Sequence, residues 1–127
     1  MKSIFLKKVS LYAALLFFSL CAKTASKCDK SYLSQVFLQK LQLVEKNVKK
    51  GEPFSGNTYR AIFFFEKITG ISSQAQWGDV SIYKDYKDFK TDKELWLAWL
   101  DKNKCLTNEE EVKAIEEKVR QETPWIK

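Results

Sequence analysis

Carboxylates are the main groups in this chain that could carry catalysis, because the sequence contains no histidine. That absence excludes Ser–His and Cys–His nucleophile pairs, histidine acid–base catalysis and the commonest zinc ligands. Glycosidic cleavage needs only two carboxyl groups about 5–10 Å apart. The candidates for such a pair are Glu66, Asp79, Asp85 and Asp88. With 16 acidic residues in 127, chance pairs are common, so solvated loop acids are the favoured interpretation.

Motifs for cofactor or metal binding are missing from the sequence. The glycine-rich phosphate loops GxGxxG and GxxxxGK[ST] do not occur, nor does the nucleophile motif GxSxG. A twelve-residue calcium loop with alternating oxygen ligands is also missing. The two cysteines beyond residue 22 are too few for a four-cysteine metal site. We therefore expect no cofactor and no metal ion.

Aromatic side chains offer a different chemistry, that of a binding surface. Trp77, Tyr83, Tyr86 and Phe89 lie in an irregular stretch, interspersed with polar residues. Exposed aromatics on loops are typical of protein-binding hot spots and of sugar-stacking surfaces. The favoured alternative is that they cover the core under a long loop. Trp96 and Trp99, by contrast, are spaced as on one helix, and we expect both in the core.

The N-terminal 22 or so residues have the pattern of a secretory signal peptide. Three lysines, the last of them Lys8, precede an uncharged and mostly apolar stretch of about 14 residues that ends before Lys23. A membrane-spanning helix would need roughly 20 apolar residues. A buried core helix would also fit this length, but the lysines and the terminal position favour export, to the periplasm or the medium.

The manner of processing stays open at the sequence level. Cleavage after Ala22 and cleavage after Ser26 both place small residues near the cut. A third interpretation is acylation of Cys21 as a lipoprotein, although Leu20 stands where a bacterial lipobox has a small residue. A membrane partner is expected only if Cys21 is acylated.

The charge of the exported part does not indicate nucleic-acid binding. The whole chain has 22 basic and 16 acidic residues, a formal charge of +6. The first 22 residues hold three lysines and no acidic residue. The rest of the chain therefore has 19 basic and 16 acidic residues, a formal charge of +3. Lysines alternate with acids, as in Lys84-Asp85 and Lys87-Asp88, whereas nucleic-acid binders gather basic residues on one face.

Cys28 and Cys105 are the two cysteines of the exported part, 77 residues apart. In an oxidising compartment, two cysteines in a small domain are more often bridged than free. A Cys28–Cys105 disulfide is therefore the favoured interpretation. Two reduced, separately buried thiols are the alternative.

Four helices are expected in residues 23–127, which form one domain. The first shows apolar residues at helical spacing, and the second is apolar on most of its circumference, with a buried strand at 62–65 as its alternative. The last two each follow a capping-box pattern, starting at Thr91 and at Thr107. The predicted helices are 29–50, 58–69, 91–104 and 108–121, with a long irregular loop at 71–90.

The predicted fold is all-α, with the first two helices and the last two helices each forming an antiparallel pair. The two pairs would make a four-helix bundle or two stacked helical hairpins. The end of the chain, with Trp125 and Ile126, is expected to fold back onto the core.

The middle of the chain contains Phe65-Glu66-Lys67-Ile68-Thr69-Gly70-Ile71, followed by Asp92, Trp96, Trp99 and Asn103-Lys104. This pattern, which covers about 40 residues, resembles that of small exported bacterial proteins that have no assigned activity. It supports the helical prediction and implies no catalytic residue.

The sequence leaves three functional hypotheses. The first is an exported, non-enzymatic helical domain that binds a protein partner, as an inhibitor, an immunity factor or an envelope accessory protein. The second is a glycan- or cell-wall-acting protein that uses loop aromatics and a carboxylate pair. The third is a lipoprotein tethered to the membrane through Cys21.

Overall fold

A computed structural model describes residues 28–127, and this part of the chain folds into four α-helices. The helices are α1 (Tyr32–Lys49), α2 (Gly56–Thr69), α3 (Tyr86–Asn103) and α4 (Glu109–Glu122). The only β-type pairing within residues 28–127 is an isolated bridge between Gln76 and Ile82. The prediction of an all-α helical bundle is confirmed. The predicted signal peptide and Cys21 lie outside the described residues.

The backbone N–H groups in the first turn of a helix have no carbonyl acceptor within the helix. At the start of each helix, a polar side chain accepts a hydrogen bond from one of these N–H groups. These N-cap residues are Ser31, Ser55, Asp85 and Asn108. At the other end of α2, Gly70 adopts a left-handed conformation with φ of 71°. Glycine tolerates that conformation without strain, so the predicted helix stop at Gly70 is confirmed.

Helix α3 begins at Tyr86, five residues before the predicted bound at 91. The side chain of Asp85 accepts a hydrogen bond from Lys87 N at 3.1 Å, whereas Thr91 lies inside the helix and donates its hydroxyl to the Lys87 carbonyl. The earlier turn forms because it places Phe89 on the buried face of α3, in line with Trp96. Helix α4 likewise takes Asn108, not Thr107, as its cap. The irregular stretch therefore shrinks to residues 71–85, which we call the long loop.

Helices α1 and α2 form the centre of the bundle, since each of them packs against all three other helices. Helix α4 packs mainly on α2 and α1, so the predicted pairing of the last two helices is wrong. The reason lies in the side chains of α4: Val112 and Val119 are buried, and Glu116 accepts a hydrogen bond from Tyr32 of α1 at 3.2 Å. The fold is thus a bundle around α1 and α2 and not two stacked hairpins.

The core is built from aromatic rings contributed by three helices. Phe65 of α2 stacks on Trp96 of α3 with ring centroids 4.6 Å apart, and Phe37 of α1 lies 4.7 Å from Phe65. Trp99 is partly buried and stacks on Phe37 at 6.0 Å. The core position of Trp96 is confirmed, and residues 62–65 lie in α2 and not in a strand.

A disulfide joins Cys28 to Cys105, with Cα atoms 5.3 Å apart. It ties the segment before α1 to the turn after α3. Lys104 strengthens the same junction, because its ammonium group pairs with Asp29 at 2.6 Å and with Asp101 at 3.0 Å. The predicted pairing of the two cysteines is therefore found in the structure.

Candidate functional site

Five aromatic residues from separate parts of the chain meet at the surface of the bundle. We call them the aromatic surface; they are Phe54, Tyr59, Phe63, Trp77 and Trp125. The Trp77 ring is at its centre, with centroids 4.8 Å from Tyr59, 5.2 Å from Phe63 and 5.8 Å from Phe54. Trp77 keeps 38% of its surface exposed and Trp125 keeps 64%. Large apolar rings are thus displayed to solvent together and not singly.

Helix α2 explains how this surface is supported. Tyr59 and Phe63 are four residues apart and lie on one face of α2, with centroids 4.7 Å from each other. Ile62 and Phe65, on another face of the helix, are fully buried. The apolar circumference predicted for α2 therefore serves two purposes, because one part of it forms the core and another carries the aromatic surface.

Three of the four aromatic residues proposed from the sequence meet away from Trp77, since the Phe89 ring centroid lies 5.5 Å from that of Tyr83 and 5.9 Å from that of Tyr86. Trp77 belongs to the aromatic surface, whereas Tyr83 and Phe89 are core residues with 5% and 0% exposure. Tyr86 is exposed on α3, where its hydroxyl donates to Glu45 at 2.8 Å. Hydrogen bonds from Lys93 and from Tyr86 lower the pKa of Glu45. For Tyr83 and Phe89, the interpretation that these rings cover the core is the correct one.

Sequence reasoning missed four of the five members of the aromatic surface. Phe54 follows a proline in a turn, Trp125 lies near the chain end, and neither position indicates a partner ring. The spacing of Tyr59 and Phe63 is a usable signal, since it places two aromatics on one helical face. Their meeting with Trp77 depends on the path of the long loop, which local sequence does not specify.

Backbone hydrogen bonds hold the long loop in a compact shape. Gln76 and Ile82 exchange N–H to carbonyl bonds of 2.9 and 3.0 Å, which folds the loop back on itself around Trp77. The Phe54 N–H donates to the Ser81 carbonyl at 2.9 Å and so joins the loop to the turn between α1 and α2. Phe54 and Trp77 are thereby kept within contact distance.

Side chains fasten the same loop to the helices. The Ser73 N–H donates to the Glu66 carboxylate at 2.7 Å, and the Gln74 N–H donates to Asp92 at 2.8 Å. The Tyr83 hydroxyl donates to the same Asp92 oxygen at 2.7 Å. Burial raises the pKa of Asp92, and burial together with the hydrogen bond to Asp92 raises the pKa of Tyr83.

The end of the chain is fastened by Arg60 of α2. Its Nε donates to Thr123 Oγ1 at 3.1 Å, and its terminal nitrogen donates to the carbonyls of Thr123 and Ile126 at 3.2 and 2.6 Å. Ile126 folds back against Gly56, where a larger residue would overlap its side chain. Trp125 lies between Thr123 and Ile126, the two residues that Arg60 holds, and its side chain remains exposed. The prediction that the chain end folds back onto the core is therefore correct for Ile126 only.

Replacing Arg60 with methionine is expected to release the chain end, because methionine keeps apolar bulk but donates no hydrogen bond. Exchange of the Ile126 amide, which donates to the Thr123 carbonyl at 3.1 Å, should accelerate at least tenfold, while the amides of α1 keep their protection. Lys118→Met on the exposed face of α4 is the matched control. Unchanged exchange at the chain end in Arg60→Met would contradict this role.

Three of the four carboxylates considered for catalysis have local structural roles or lie exposed, and the fourth, Asp88, is half-buried in the first turn of α3. Glu66 accepts from Ser73 and Asp85 caps α3, while Asp79 is exposed in the long loop. Within residues 28–127, no group of three cysteine, aspartate or glutamate side chains is placed to hold a metal ion. None of the four described helices is both long enough and apolar enough to cross a membrane.

No protein-family model, no curated protein and no solved structure matches this chain. The resemblance of the middle segment to small exported bacterial proteins therefore stays a prediction. Function has to be argued from the aromatic surface and the chemistry of its residues.

Proposed function

We propose that this chain is an exported, non-enzymatic helical domain that binds a protein partner through the aromatic surface. One observation carries the proposal: Trp77 packs against three aromatic rings and still exposes 38% of its surface. Tryptophan and tyrosine dominate the binding energy of protein interfaces, because they bury large areas and lose few rotatable bonds. Inhibitor, immunity factor and envelope accessory protein are the roles that fit such a domain.

The fastening of the long loop and the chain end favours tight binding. Both exposed tryptophans lie between residues that are held by buried or half-buried side chains, Asp92 for Trp77 and Arg60 for Trp125. A surface that is ordered before the partner arrives loses less conformational entropy on binding. The Cys28–Cys105 disulfide supports the export part of the proposal, since disulfides persist in oxidising compartments.

The geometry of Trp77 favours a protein partner over a glycan. Sugars stack on a free aromatic face, but Phe63 lies parallel to the Trp77 ring at an interplanar angle of 11° and covers one face. Tyr59 and Phe54 crowd the same ring in edge arrangements. Trp125 has one edge contact, with Tyr59 at 6.5 Å, and is the ring better suited to stack on a sugar. Glycan binding is therefore the second candidate, centred on Trp125.

The test is capture of the partner from envelope extracts, followed by affinity measurements with purified variants. Trp77→Ala is expected to weaken binding by about 2 kcal/mol, roughly 30-fold, as for a hot-spot aromatic. Leu106→Ala is the matched control, because Leu106 is 76% exposed in the turn after α3 and outside the aromatic surface. It should bind as wild type.

Two results would count against the proposal. One is wild-type affinity in Trp77→Ala, with circular dichroism showing a folded domain. The other is binding of soluble peptidoglycan fragments that Trp125→Ala abolishes and Trp77→Ala leaves intact, which would favour the glycan alternative.

A further inference from the structure

We propose that Asp92 is a positioning residue that holds the long loop, and with it Trp77, in the conformation that forms the aromatic surface. The inference builds on the proposed function, since it names the group that keeps the binding surface assembled. It rests on the hydrogen bonds around one buried carboxyl group.

One oxygen of Asp92 connects two distant points of the long loop. Asp92 Oδ2 accepts from Gln74 N at 2.8 Å and from the Tyr83 hydroxyl at 2.7 Å. Gln74 precedes Trp77 and Tyr83 follows it, so both sides of the segment that carries Trp77 are tied to α3. The bridge between Gln76 and Ile82 joins the loop only to itself.

The position of Asp92 is costly, which argues that it serves more than packing. Asp92 is 1% exposed, and its second oxygen, Oδ1, is buried with no hydrogen-bond partner. Ser73 Oγ and Trp96 Nε1 are also buried without a hydrogen-bond partner. A buried polar group with unmade hydrogen bonds destabilises a fold, and an apolar residue would avoid that cost. The gain that offsets this cost is attachment of the loop.

Each of the other attachments of the loop holds it at one point, whereas Asp92 holds it at two. Glu66 holds only Ser73, at the start of the loop, and Phe54 holds only Ser81, near its end. Without Asp92, the Tyr83 hydroxyl loses its acceptor in a buried place, and the Gln74 N–H loses its acceptor at the edge of that place. We therefore expect the loop to open as a unit between residues 73 and 83.

Hydrogen exchange on the full exported chain tests the inference without any partner. In Asp92→Leu, which keeps similar bulk but removes both acceptors, exchange of the Gln74, Gln76 and Ile82 amides should accelerate at least tenfold. Amides in the middle of α1 should keep their wild-type rates. Asp92→Asn retains an oxygen acceptor and should restore most of the protection. Asp101→Ala, which alters an exposed carboxylate of the same helix, is the matched control.

Equal acceleration in the loop and in α1 would overturn the inference, because Asp92 would then be an ordinary core residue. Unchanged loop exchange in Asp92→Leu would overturn it as well. If Asp92→Leu does not fold, Tyr83→Phe removes one donor and keeps the ring. It should accelerate the Gln76 and Ile82 amides at least threefold, and wild-type rates there would overturn the inference.

The proposed function and the role of Asp92 can each be contradicted by a result that leaves the other intact. Wild-type affinity of Trp77→Ala for the captured partner overturns the proposed function, while the exchange result for Asp92 stands. An opened loop in Asp92→Leu with undiminished partner binding overturns the role of Asp92 in forming the binding surface and leaves the role of Trp77 intact.

Discussion

Replacing Phe37 with alanine is expected to lower the free energy of unfolding by about 3–5 kcal/mol, the usual cost of removing a fully buried phenylalanine. Phe37 is completely buried on α1, and its ring contacts Phe65 of α2 at 4.7 Å and Trp99 of α3 at 6.0 Å. It therefore joins three helices at one point. Alanine would leave a cavity that rigid helices on all sides cannot fill.

Urea unfolding followed by circular dichroism measures this change. Small domains are stable by only about 5–15 kcal/mol, so the loss should be large enough to shift the midpoint clearly. The matched control is Leu38→Ala, one residue further on, because Leu38 is 46% exposed on the same helix. We expect it to cost less than about 1 kcal/mol. Similar losses in the two variants would mean that α1 does not pack as described.

Removal of the disulfide is expected to have a comparable effect. The bridge closes a loop of 77 residues, for which chain entropy gives a stabilisation of roughly 4–5 kcal/mol as an upper figure. In the double variant Cys28→Ser, Cys105→Ser, the unfolded chain regains that freedom while the helices and the core stay the same. Its free energy of unfolding should fall by about 2–4 kcal/mol.

Reduction of the wild-type protein provides the control for this variant. Reduced wild type and the double variant should unfold at the same urea concentration, and a reducing agent should leave the variant unchanged. A wild-type midpoint that is insensitive to reduction would show that the two cysteines are not bridged in solution. It would also remove one of the observations that support export of the protein to an oxidising compartment.

Helix content follows from local signals, and these are strong along most of this chain. Leu33, Phe37, Leu41 and Val44 recur at helical spacing, and all four are buried on α1. Gly70 is the left-handed stop of α2, as its residue type predicts. Such features act within a few residues of each other, so the sequence shows them without knowledge of the rest of the fold.

The predicted start of α3 was wrong because a local signal competed with a tertiary contact. Thr91 and Glu94 form a good capping box, yet the helix continues through them, because an earlier start buries Phe89 completely. Burial of a large ring stabilises by about 1.5–3 kcal/mol, whereas a cap contributes typically about 1 kcal/mol. The tertiary contact therefore overrides the local motif. Tertiary contacts also decide the position of α4, which buries Val112 and Val119 against α1 and α2 instead of pairing with α3.

The carboxylates and aromatics that could do chemistry were visible in the sequence as residue types. The absence of histidine, the helical class and the pairing of Cys28 with Cys105 could all be argued from residues and spacing. Which aromatic rings face solvent could not, because exposure depends on contacts between residues far apart in the chain. Asp92 brings the long loop onto α3, Arg60 brings the chain end onto α2, and only then do Trp77 and Trp125 share a surface with Tyr59.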